Sequence, residues 1–341
     1  MSGDQTKMHA YQQRGLSLVE LMIALALGLI ISAAIMQVFL SSKNVYRMQE
    51  SMARIQENGR FAVDYLSRDL RMAGYMGCGN LDRVEVSVIA EPPANFMNFN
   101  ADTFLVGLNN VTAGNVYGAK AGTDVVSTRR ASGESIRLTG NLAPINANIQ
   151  IVDNRFGFAQ DDTLMISDCV AADIFNVVNK PRQDDGKKVT ITHSQGSNSN
   201  NNLSKLYGSD AEVMAFKSIT YYIKPSENNA ALDALWMQIQ GGPTSVVDVE
   251  LVDGVEDLQL QYGIDTSGNR NVNEYRTADA VTDWSRVVSV QFSMLLAGSD
   301  SVIDSSGDFS QALKFNGETI TSDGVMRNVF ESVVAVRNRA P

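Results

Sequence analysis

The 341-residue sequence is short of the residues that catalysis and metal chemistry use most. It has two histidines and two cysteines. A zinc site would have to join His9 and His193 to Cys78 and Cys169, and His9 precedes a long apolar run that the other three follow. The sequence has no G-x-S-x-G, Walker-type loop, dinucleotide fingerprint or metal-ligand histidine cluster, and its many carboxylates gather at no one place. Neither a metal, a cofactor nor an enzymatic activity is expected. Positive charge is also scarce: 28 Lys and Arg against 38 Asp and Glu give a net charge of −10. That balance argues against a head that binds nucleic acid through a broad basic surface. The basic pairs Arg129–Arg130 and Lys187–Lys188 read as solvated surface, and His193 as a loop residue. Proline is absent between Met1 and Gly79, so nothing there breaks a helix.

What is present begins with "RGLSLVELMIALALGLIISAAIMQVFL", Arg14 to Leu40. The part from Leu16 to Leu40 is long enough to span a bilayer as a helix, which takes about 20 apolar residues. Its one charged residue is Glu20. A carboxylate at bilayer depth costs roughly 2.5–3.5 kcal/mol on insertion scales. Helix formation is expected to gain nothing from Glu20 that leucine would not supply, so it must reach the headgroups or have a partner. The polar Met1–Gly15 segment, with "SAA" at Ser32–Ala34, also allows an ordinary secretory signal. Against that reading, the apolar run is longer than a usual signal core and continues past Ala34 without punctuation. Ala24, Gly28 and Ser32 form a small-residue stripe at four-residue spacing, which lets helices approach closely in lipid.

Beyond Leu40 the pattern turns amphipathic. Val45, Met48, Met52, Ile55, Gly59, Ala62, Leu66, Leu70 and Ala73 recur at steps of three and four, one face of a helix. Glu50 with Arg54, and Asp64 with Arg68, are i,i+4 pairs on the outside. One helix over 16–77 is expected, ending in "AGYMGCGN" through its glycines. From 78 to 341 the sequence holds short β-branched and aromatic runs separated by Gly, Asn, Asp and Ser, which predicts antiparallel sheets with long loops. Among them are "TDVVSTRR", "SIRLTG", "TLMISD", "SITYYIK", "SRVVSVQFSMLL" and "ESVVAVRNR". The tract "HSQGSNSNNN" (193–202) reads as a mobile loop. "LVDGVEDLQLQY" (251–262) reads as a short helix leading into a strand. "DTSGNRNVNE" (265–274) spaces oxygen donors like a calcium loop but has Arg270 at the sixth position; a plain turn is the better reading. Cys78 and Cys169 follow the membrane segment, on the side that would be exported. There an even pair is most simply a disulfide, two buried thiols being the alternative.

"RG" followed by "LSLVELMIALALGLII" resembles the leader and N-terminus of type IV pilins and pseudopilins. The resemblance implies that residues 1–15 are a leader cut by a prepilin peptidase between Gly15 and Leu16, with Leu16 then N-methylated. It further implies that Glu20 pairs with the N-terminal ammonium of a neighbouring subunit, which would neutralise two charges in the membrane. Two positions depart from the usual pattern: Leu16 stands where most pilins have Phe, and Gln37 where many major pilins have a helix-breaking proline. "NGRFAVDYLSRDLRMAGYMGCGN" (58–80), "DTLMISDCVAADIFNV" (162–177), "VDGVEDLQLQYGIDTSGNRNVNEY" (252–275), "RVVSVQFSMLLAGS" (286–299) and "RNVFESVVAVRNR" (327–339) resemble the PilW family of minor pilins. The likeness around "GC" and "DC" supports pairing Cys78 with Cys169.

The expected architecture is α+β and pilin-like: a leader (1–15), a long helix (16–40 in the membrane or filament, 41–77 amphipathic) and a β-rich head (78–341). By resemblance the head lies in the periplasm while the chain waits in the inner membrane. The protein then joins other minor pilins, a tip adhesin and the major pilin at a pilus tip that supports twitching motility, adhesion and DNA uptake. Alternatives are a type II secretion pseudopilin, a membrane-anchored surface-binding module and, last, a tethered enzyme.

Overall fold

The apolar run and the amphipathic stretch behind it form one helix, α1, Leu18–Arg71. The computed structural model describes residues 15, 17–78, 81, 84–91, 103–142, 147–182, 186–242, 246–301, 313–320 and 323–339. The chain divides into two compact units, one up to Glu50 and one from Ser51. In the first unit every helical side chain from Leu18 to Arg47 is exposed. This is, among the described residues, the one helix long and apolar enough to cross a membrane.

In the second unit the helix buries a stripe. Ile55, Gly59, Ala62, Leu66 and Leu70 are inside, and Ala73 follows them just past the helix end. Met52 is half-buried, so the packed face starts at Ile55. Burying leucines such as Leu66 and Leu70 is worth roughly 1.5–3 kcal/mol each. The small residues allow close approach: a Cβ added at Gly59 would meet the Phe330 ring at 2.3 Å. On the outer face Arg68 reaches Asp64 at 3.2 Å, fully in solvent.

Sixteen strands follow among the described residues: β1 (Glu85–Val88), β2 (Leu105–Leu108), β3 (Val125–Arg137), β4 (Asn148–Ile151), β5 (Thr163–Ser167), β6 (Ala171–Asn176), β7 (Val189–Thr192) and β8 (Glu212–Pro225). The rest are β9 (Asp233–Gln240), β10 (Val246–Asp253), β11 (Val255–Ile264), β12 (Glu274–Arg276), β13 (Val287–Ser301), β14 (Leu313–Phe315), β15 (Glu318–Ile320) and β16 (Val325–Ala335). The larger sheet runs β1-β6-β5-β8-β3-β2, with β9 and then β10 added beside β8. β8 is long enough to serve two neighbours on one edge. Its residues 212–215 pair with β5 and 218–225 with β9, while β3 takes the other edge. The second sheet is β12-β11-β13-β16, antiparallel throughout. The pairing of β1 with β6 is parallel, a departure from the all-antiparallel expectation.

Four expectations are corrected. The helix stops at Arg71 rather than Gly77, because Gly74 turns into positive φ (71°) and the chain is drawn to the sheet. There the Gly74 N–H donates to Arg129 O at 2.8 Å, and the Ala131 N–H donates to Tyr75 O at 2.8 Å. Residues 251–262 hold no helix: Gly254, at φ 82°, turns β10 into β11. The 193–202 tract is pinned, not loose. Asn198 is buried, donates to the Asn176 carbonyl at 2.9 Å and accepts from the Asn176 N–H at 2.7 Å. Finally, Arg129 and Arg130 are not solvated surface; Arg129 is fully buried.

The join between helix and sheet is polar at one point. Asp69 is 6% exposed on the packed face of α1. Its carboxylate accepts from Arg130 Nη2 on β3 at 2.7 Å and from the Tyr221 hydroxyl on β8 at 2.6 Å. Carbonyls at the helix end and just past it are also satisfied. The Arg337 N–H donates to Arg71 O at 3.1 Å, and Asn338 Nδ2 donates to Ala73 O at 3.0 Å. A second polar join ties the sheets to each other. Asp124 accepts from the Asn110 N–H at 2.8 Å and from the Leu260 N–H on β11 at 2.7 Å, and its own N–H donates to Leu258 O at 2.9 Å. Burial pushes the Asp124 carboxyl up to about 6, against the lowering pull of those two N–H groups. A covalent tie completes the set: Cys78, past the helix, is bonded to Cys169 in the β5–β6 turn, 91 residues on.

Three outcomes are expected. Asp69→Ala should destabilise the protein by about 3 kcal/mol in urea melts, because Arg130 and Tyr221 lose their acceptor together; Tyr221→Phe should cost about 1 kcal/mol. The Asp124 carboxyl is raised in the folded state, so its contribution is fully present below about pH 4 and is lost as pH rises through about 6. The urea midpoint should therefore carry a downward slope over that window, and Asp124→Asn should remove the slope. Replacing Cys78 and Cys169 by serine should cost about 2–5 kcal/mol, read from the same melts with and without reductant.

Candidate functional site

Ser17 and Glu20 start α1 as a reciprocal pair. The Ser17 N–H donates to Glu20 Oε2 at 2.9 Å, and the Glu20 N–H donates to Ser17 Oγ at 3.2 Å. This is a capping box: the serine satisfies one orphan helical donor, and the glutamate satisfies the serine's own N–H. The expectation that helix formation gains nothing from Glu20 is therefore wrong, since leucine could not accept that bond. The S-x-x-E spacing that signals it was in plain sight at "SLVE". Gly15 is exposed and non-helical, while Leu16 and residues 1–14 lie outside the described residues.

Beyond the cap, Ala24, Gly28 and Ser32 are all exposed on successive turns of the helix. A Cβ added at Gly28 would meet nothing within 4 Å. The stripe thus offers a close-approach surface that α1 itself leaves empty.

The head holds ionisable groups in structural settings. His193 is 1% exposed and packs against Phe175, with ring centroids 5.3 Å apart and the planes tilted by 53°. It follows β7 in the loop, as expected, but its ring is buried there, and burial lowers its pKa. Burial likewise brings Arg129 down to about 10. Asp173, fully buried, accepts from the Ser204 N–H at 3.0 Å, the Ser204 hydroxyl at 2.7 Å and the Tyr207 hydroxyl at 2.7 Å, which fastens the loop before β8.

The 265–274 segment is a closed turn. Asp265 accepts from the N–H groups of Ser267, Gly268 and Arg270 at 3.0, 2.7 and 2.7 Å, and Asn273 Oδ1 accepts from the Thr266 N–H at 2.9 Å. Its oxygens are turned on its own backbone. Among the described residues no group of three or more His, Cys, Asp or Glu side chains could hold a metal ion. The closing "VRNR" has a structural use that spacing alone did not reveal. Arg337 and Asn338 cap the end of the long helix, and Arg339 donates to the Trp284 carbonyl.

Comparisons with known proteins bear on both ends of the chain. Residues 220–338, from β8 through β16 to the closing VRN, match the family model of type IV pilus-assembly protein W. Residues 11–36, spanning the capping box and the small-residue stripe, match the prokaryotic N-terminal methylation motif. Neither a curated protein nor a solved structure matches. Both matching families are structural components of pili rather than enzymes. A methylation motif heading an exposed apolar helix, and a PilW match over the last third of the chain, together support a PilW-family type IV minor pilin.

Proposed function

We propose that the chain is made as a prepilin, held in the inner membrane by α1 with its head in the periplasm, and cut by a prepilin peptidase between Gly15 and Leu16. Leu16 is then methylated. The observation that carries this reading is the Ser17–Glu20 pair at the mouth of an otherwise apolar helix. Cleavage after Gly15 leaves Ser17 as an internal residue with its N–H intact, so the cap survives processing. One carboxylate oxygen stays on the Ser17 N–H, and the other is free to meet the methylated ammonium of a neighbouring subunit. That pairing offsets the cost of holding either charge in lipid. Ala24, Gly28 and Ser32 give the neighbour's helix a close path.

Assembly then places the protein with other minor pilins and a tip adhesin at the pilus tip, above the major pilin. In this position it primes filament growth and so serves twitching motility, adhesion and DNA uptake. The PilW match over 220–338 supports a pilus over a secretion system.

Intact-mass and N-terminal peptide analysis of protein recovered from its native membrane should find a chain beginning with methylated Leu16. An uncut Met1 start, or a start near Ala34, would sink the reading. With processing established, Glu20→Ala should be cut normally yet fail to support surface piliation and twitching.

A further inference from the structure

From Leu21 to Ser42 the helix carries no charged residue, and the charges that bound this stretch are Glu20 and Lys43. Lys43 stands 23 positions after Glu20, and α1 runs between them without a break. At 1.5 Å per residue the two are about 34 Å apart along the axis. At the usual tilt of about 20° that spans about 32 Å, against a hydrocarbon core of about 30 Å. Both charges can therefore reach headgroups at once, one in each leaflet.

The far end of the stretch decides which part lipid has to cover. Ile35, Met36, Val38, Phe39 and Leu40 are 53–70% exposed, so no described residue shields them. Drawing Glu20 two turns into hydrocarbon would lift Met36, Val38, Phe39 and Leu40 out of lipid and into water. Just past Leu40 stand the residue types that favour the headgroup layer. Lys43, Tyr46 and Arg47 fall at i, i+3 and i+4, on one face of the helix, and Tyr46 is 67% exposed. A tyrosine ring with its hydroxyl suits the membrane interface, and lysine and arginine reach headgroup phosphates from stems laid along apolar surface. Glu50 follows one turn farther from the lipid.

Resting on the reading that α1 holds the chain in the inner membrane, we infer that Lys43, Tyr46 and Arg47 bind anionic phospholipid headgroups of the periplasmic leaflet. This site sets the depth of the helix and keeps Glu20 in the opposite headgroup layer. The Ser17–Glu20 cap then lies among headgroups and water while the chain waits. Raising the helix by two turns takes Lys43 and Arg47 off the lipid and brings Glu20 into hydrocarbon in one movement. The cost of the carboxylate falls on extraction, when a neighbour's ammonium comes within reach, and not on insertion.

The test uses the purified full-length chain reconstituted in vesicles of phosphatidylethanolamine and phosphatidylglycerol. The two native cysteines are joined to each other, so one introduced cysteine carries a nitroxide label to one place. Label depth, read from relaxation by oxygen against a water-soluble nickel chelate, should be greatest at Ile31→Cys and equally shallow at Leu18→Cys and Ser42→Cys. A profile deepest near Leu25, with the Leu18 label inside hydrocarbon, overturns the proposal. Spin-labelled phosphatidylglycerol and phosphatidylcholine are then compared at the protein boundary. Lys43→Gln with Arg47→Gln should lower the preference for phosphatidylglycerol by about fivefold or more, since each basic group near an anionic surface supplies about that factor. Arg54→Gln, two turns farther out, should leave the preference as it is. An unchanged preference in the double variant overturns the proposal. A water-exposed Ile31 label would instead defeat the membrane-held reading, and the headgroup site with it.

Discussion

A single buried carboxylate, Asp69, sets how the helix meets the head. It lies at the edge of the stripe that α1 buries, where an unpaired charge would be costly. Arg130 from β3 and the Tyr221 hydroxyl from β8 bring it two donors from adjacent strands. A leucine there could slide along the sheet at little cost, whereas a carboxylate with two fixed partners has one position. Everything nearby follows from that register: Gly59 against Phe330, Ser51 against Gly298, and the chain leaving the helix at Gly74 to bond along β3. The hydrophobic stripe supplies most of the driving force, and the carboxylate chooses among the ways of using it.

The head solves the same problem at its second seam. Two sheets that share no strand must be held in register, and Asp124 does this by standing in for a strand at the free edge of β11. It donates once and accepts from its neighbour, as a ladder residue would. The cost is a carboxyl raised by burial. The C-terminal Arg337 and Asn338 then close the loop back to the helix, so the last residues of the chain finish what its N-terminal half began.

Much of this was legible in the sequence, and the failures share a cause. The stripe is periodic and apolar, so local pattern located it from Ile55 to Ala73, but the same pattern began it at Val45, which is exposed. The strands at "TLMISD", "SITYYIK" and "SRVVSVQFSMLL" announced themselves in the same way. Asp69, Arg129 and Arg130 did not, because a charge is read as solvated unless its partner is known, and these partners come from distant parts of the chain. "TDVVSTRR" and "SIRLTG" read as two strands, but β3 runs through both across an irregularity between Ala131 and Ser135. Composition misleads at "HSQGSNSNNN", since one asparagine with a buried backbone to bind outweighs the polar tract around it. At the N-terminus the error was of emphasis. A carboxylate in an apolar run stands out against lipid, and that contrast hides its local partner Ser17, three residues away.

The bond between Cys78 and Cys169 has a mechanical consequence for a protein pulled by its helix. Tension entering at α1 passes the Asp69 seam, reaches Cys78 and crosses directly to Cys169 at the β5–β6 turn. The intervening chain, with β1 to β5 in it, forms a closed loop through which no load needs to run. Those strands are shielded from extension while the bridge holds. The length the head can give up under force is set by the residues beyond Cys169, and reduction of one bond would return the sheltered strands to the line of pull.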